Sequence, residues 1–72
     1  MLNKEYKYRA GYDGGIYRKT PGQLAEGYNF KTGEWEVMEA ARAAFYMGED
    51  TFRIEPEEVE IEIKRQKERF GI

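Results

Sequence analysis

Cysteine, histidine and serine are all missing from this chain, and each absence removes a class of chemistry. Without cysteine there is no disulfide framework, no thiolate nucleophile and no thiolate zinc site. Without histidine the usual neutral-pH acid–base group and the commonest imidazole ligand are gone. Ser-His-Asp and Cys-His arrangements are therefore impossible by composition. No apolar run approaches the ~20 residues that span a bilayer, and no membrane partner is expected. Met1 to Tyr6 contains no apolar stretch, so a signal peptide is not expected, and a small domain without disulfides suits a reducing compartment. A cytoplasmic location follows as the expectation.

The 72 residues are read as a single domain, 1–72, with room for one core. Burying about 60% of the unfolded surface at ~25 cal/mol/Å² yields roughly 110 kcal/mol if three-fifths of it is apolar. Ordering the chain at ~1.5 kcal/mol per residue costs about the same. A domain so balanced gains from any partner that covers more apolar surface.

Charge and residue type divide the chain. Residues 1–32 hold six Lys/Arg against three Asp/Glu, whereas residues 33–72 hold six against eleven. Six of the eight glycines and six of the eleven aromatics fall within the first 33 positions. Strands and tight turns in the first half and helices in the second predict an α+β fold. The expected architecture is an antiparallel β-meander of three to four strands over 1–37, then a mainly helical 38–72 with two helices packed on one face.

The pattern along the chain gives the elements. Lys4 to Ala10 alternates, with Tyr6, Tyr8 and Ala10 on one face and Glu5, Lys7 and Arg9 on the other. Tyr12-Asp13-Gly14-Gly15 is a hairpin turn, and Ile16 to Thr20 is the returning strand before Pro21-Gly22. Leu24 to Phe30 reads as a third strand, and Glu34 to Val37 as a fourth after the Lys31-Thr32-Gly33 turn. Met38, Ala41 and Phe45 at i, i+3 and i+7 predict a helix ended by Gly48. Thr51 to Ile54 is short and extended. Val59 to Ile63 alternates as a strand would. Pro56, Glu57 and Glu58 at one end, and Lys64, Arg65, Lys67 and Arg69 at the other, favour a helix over 56–70 instead. An i,i+4 pair is expected between Glu60 and Lys64. The predicted core is Tyr8, Leu24, Tyr28, Phe30, Val37, Ala41, Phe45, Val59, Ile63 and Phe70.

Candidate chemistry is sparse. Gly11 to Gly15 lacks the spacing of a phosphate loop and precedes a strand, so it is a turn. Glu55, Glu57, Glu58, Glu60 and Glu62 lack the spacing of a calcium loop and would radiate around a helix, so no metal site is expected. No catalytic residue and no cofactor are assigned, and the chain is not expected to be an enzyme. Tyr6-Lys7-Tyr8-Arg9 and Tyr17-Arg18-Lys19 interleave rings and positive charge as a weak single-strand nucleic-acid binder would, with Lys7, Arg9, Tyr17, Arg18 and Lys19 as its candidate contacts. In the first strand alternation turns Tyr6 and Tyr8 away from Lys7 and Arg9, which makes nucleic acid the lesser expectation. The favoured reading is a small protein-interaction module that forms a homodimer. Trp35, Tyr46 and Ile61 are its candidate contacts, Ile61 because it stands among charged residues opposite Val59 on the predicted helix.

Overall fold

A computed structural model describes residues 6–12, 14–48 and 50–71. The predicted strand start at Lys4 and Glu5, and Asp13 of the hairpin turn, lie outside them.

Among the described residues five strands and two helices form the α+β fold: β1 (Lys7–Gly11), β2 (Ile16–Lys19), β3 (Glu26–Asn29), β4 (Glu34–Val37), α1 (Glu39–Tyr46), β5 (Thr51–Ile54) and α2 (Val59–Phe70). The first four strands are the meander. β5 returns after α1 to pair with the free edge of β1, giving the order β4-β3-β2-β1-β5, antiparallel throughout. Thr51 to Ile54 is extended as expected. Its place as a fifth strand rests on a long-range pairing, Tyr8 with Ile54 and Ala10 with Phe52, that no local pattern announces.

The helices cover opposite faces of the sheet, where a single shared face was expected. Successive strand residues point to opposite sides, and β2 carries apolar groups on both. Ile16 packs with Ala10, Ile54 and Val59 under α2. Tyr17, its neighbour, packs with Ala25, Ala41 and Ala44 under α1. Two apolar faces need two covers. Gly27 lets α1 approach, because a Cβ there would run into the Met38 side chain.

Local signals set the ends of the elements. Gly33 takes a left-handed φ of 77° in the β3–β4 turn, which a side chain would resist. Glu55 and Glu58 form a reciprocal capping box around Pro56, with Glu58 Oε1 accepting from the Glu55 N–H at 2.9 Å. That 3₁₀ turn opens directly into α2, so 59–63 is helix. Val59 and Ile63 turn inward and Ile61 outward. Glu60 and Lys64 do not form an ion pair.

Three predicted core residues are exposed: Leu24, Val37 and Phe70. Leu24 lies in the loop before β3 begins at Glu26, so the alternation read from Tyr28 and Phe30 does not reach it. Val37 ends the edge strand β4, and Phe70 is the last residue of α2, its ring lying over Gly14. Ala41 and Val59 are buried, and Tyr8, Tyr28, Phe30, Phe45 and Ile63 are half-buried around the two clusters.

Candidate interaction surfaces

At one end of the sheet β2 stops, β3 starts and β4 passes into α1. These junctions leave a groove of about 480 Å³ lined by Leu24, Val37, Met38 and Tyr46. Leu24, Val37 and Tyr46 are 70%, 59% and 71% exposed, large apolar side chains converging on one opening. Lys19, Arg42 and Glu39 stand around them. None of the three belongs to the ion pairs of the described residues, which are Arg18–Glu26, Arg53–Glu55 and Arg65–Glu62. Among the described residues Lys19 Nζ donates to the carbonyls of Thr20 and Gln23, and Arg42 lies 5.9 Å from the centre of the Tyr46 ring. An apolar centre ringed by unpaired charges of both signs has the anatomy of a contact patch.

The three residues read as candidate contacts do not meet. Tyr46 borders this groove. Ile61 is 58% exposed on α2, but its neighbours one turn away, Glu57, Glu58, Lys64 and Arg65, are all charged and exposed, so it has no apolar company on the helix. Trp35 packs inward with Tyr8 and Tyr28, at ring-centre distances of 6.1 and 5.3 Å.

The five residues singled out for nucleic acid divide between the two faces. Lys7, Arg9, Tyr17 and Lys19 share the α1 side, with Lys7 directly opposite Lys19 and Arg9 opposite Tyr17, while Arg18 points to the other side. Tyr17 is buried beneath α1, with 7% of its surface exposed. Arg9 Nε donates to Thr51 Oγ1 at 2.8 Å and Nη2 to the Thr51 carbonyl at 3.1 Å, tying β1 to β5. Arg18 Nε donates to Glu26 Oε1 at 2.7 Å, and its guanidinium lies between the Tyr6 and Trp35 rings at 4.2 and 4.4 Å. Lys7 is exposed.

A second cleft, of about 500 Å³, opens between α2 and the sheet. Tyr8, Tyr28 and Trp35 form its floor, and Val59, Ile63, Lys64 and Lys67 line it from the helix. Comparison with protein-family models, with characterised proteins and with solved structures gives no match. Among the described residues no cluster of acidic side chains is arranged to hold a metal ion, and no helix is long and apolar enough to cross a membrane.

Sequence reasoning missed Leu24 and Val37 as surface residues by extending the strand period to them. The available signals were Pro21-Gly22 just before Leu24, and the glutamates Glu34 and Glu36 marking β4 as an edge.

Proposed function

We propose that the protein is an interaction module that associates with a second copy of itself through the Leu24–Val37–Tyr46 groove and has no chemistry of its own. The observation that carries this reading is the convergence of three large, exposed apolar side chains inside a ring of unpaired Lys19, Arg42 and Glu39. A surface carrying both charge signs can complement itself across a two-fold axis, where Glu39 of one copy meets a cation of the other. Closure would bury apolar area that a domain near the lower size limit for stability can use. Tyr46 from the sequence reading belongs to this surface, whereas Ile61 and Trp35 lie elsewhere.

Charge reversal on α1 tests the pairing. Arg42→Glu and Glu39→Arg should each weaken association in sedimentation equilibrium, and the doubly reversed Glu39→Arg/Arg42→Glu chain should regain it. Association unchanged in both single variants would remove the groove as the interface.

A further inference from the structure

We infer that the cleft between α2 and the β3–β4 side of the sheet binds a flat ring carrying an anionic group, of the chemical class of a nucleoside monophosphate. Its volume, about 500 Å³, is in the range of small-ligand sites. The floor is aromatic. Tyr28 meets Trp35 nearly edge-on at 5.3 Å, Tyr8 lies 6.1 Å from Trp35, and Arg18 braces the indole at 4.4 Å. These rings are half-buried, so α2 leaves part of their surface uncovered.

The charged wall supplies the second half of the argument. Lys64 and Lys67 are three residues apart on α2, hence on the same face, and both border the cleft. Neither side chain has an ion-pair or hydrogen-bond partner among the described residues. Lysine stems commonly lie down over apolar surface and leave only their heads in water. Both lysines line the cleft beside these rings, so their ammonium groups can reach its opening. Two free ammonium groups beside aromatic surface match a ligand with a π-face and a phosphate. Among the described lining residues Glu60 is the one carboxylate, which leaves their balance positive.

A nucleotide reaches such a cleft either free or as one unit of a single strand, and the experiment separates the two. Trp35 is the only tryptophan, so its indole N–H resonance reports the floor directly. Titrations of the full chain would use the four nucleoside monophosphates, the matching nucleosides, inorganic phosphate and a short single-stranded oligonucleotide. A monophosphate should shift the Trp35 resonance and bind more tightly than its nucleoside or than phosphate. If the oligonucleotide is preferred the natural source is a strand, and if the monophosphate is preferred it is the free nucleotide. Lys64→Glu/Lys67→Glu, both at exposed positions, should weaken binding by roughly tenfold or more while the spectrum stays folded. The proposal is overturned if millimolar monophosphate leaves Trp35 unmoved, if nucleoside or phosphate alone binds equally well, or if the double variant binds as the wild type does.

Discussion

The side-chain amide of Gln66 donates from Nε2 to Oε2 of Glu62 at 2.7 Å, one turn earlier on α2, while its own Oε1 has no partner among the described residues. Both residues are buried, at 2% and 5% exposure, on the face that packs against the sheet. Glu62 also accepts from Arg65 at 2.8 Å, so its carboxylate is satisfied and the cost falls on the amide oxygen.

Breaking this pair should therefore be worse than removing it. Gln66→Leu strands a buried carboxylate oxygen and should destabilise by ~1–3 kcal/mol. Glu62→Leu/Gln66→Leu removes both polar groups and should restore stability to within about 1 kcal/mol of wild type, or exceed it. Urea unfolding of the two single variants and the double variant checks the cycle; additive losses would show that the pair is not coupled.

Ile16 is the largest side chain without solvent exposure among the described residues, and it belongs to the cluster under α2. Ile16→Ala should cost ~2–5 kcal/mol, comparable to the whole stability of a domain this size. Phe70→Ala, at a half-exposed ring on the helix end, should cost no more than about half as much. Equal unfolding midpoints for the two variants would contradict this placing of the core.

How far the sequence reaches can be read from particular residues. Short-range signals were legible: the meander, Gly48 as a left-handed helix end, and Pro56 opening the last helix. Val59 to Ile63 was decided by its flanking charges, because alternation alone fits a strand equally well. What could not be read depends on contacts distant in sequence. Nothing local tells Thr51 to Ile54 to pair with β1, or tells Tyr17 that α1 will cover it. Glu62 looked solvated by type, and only the helix's seat on the sheet buries it. The candidate surface suffered most, since Leu24 and Val37 look like core until the end of the sheet is placed.

Close approach of α1 to the sheet depends on Gly27. Any β-carbon there meets the Met38 side chain, at the residue that caps the start of α1. Gly27→Ala should destabilise by ~1–3 kcal/mol through overpacking. Pairing it with Met38→Ala should recover part of that loss, because the smaller side chain vacates the space. A Gly27→Ala chain as stable as wild type, by thermal unfolding, would mean that Met38 moves aside at no cost.

Self-association through the Leu24–Val37–Tyr46 groove is the central claim, and light scattering behind size exclusion tests it most directly. Wild-type protein should run at about twice 8.5 kDa at high concentration. Tyr46→Glu and Leu24→Glu, both at exposed positions, should shift it toward the single-chain mass without loss of fold, and Ile61→Lys should leave it dimeric. A wild-type chain that stays at the single-chain mass up to several hundred micromolar would contradict the account, as would a dimer dissolved by Ile61→Lys but not by Tyr46→Glu.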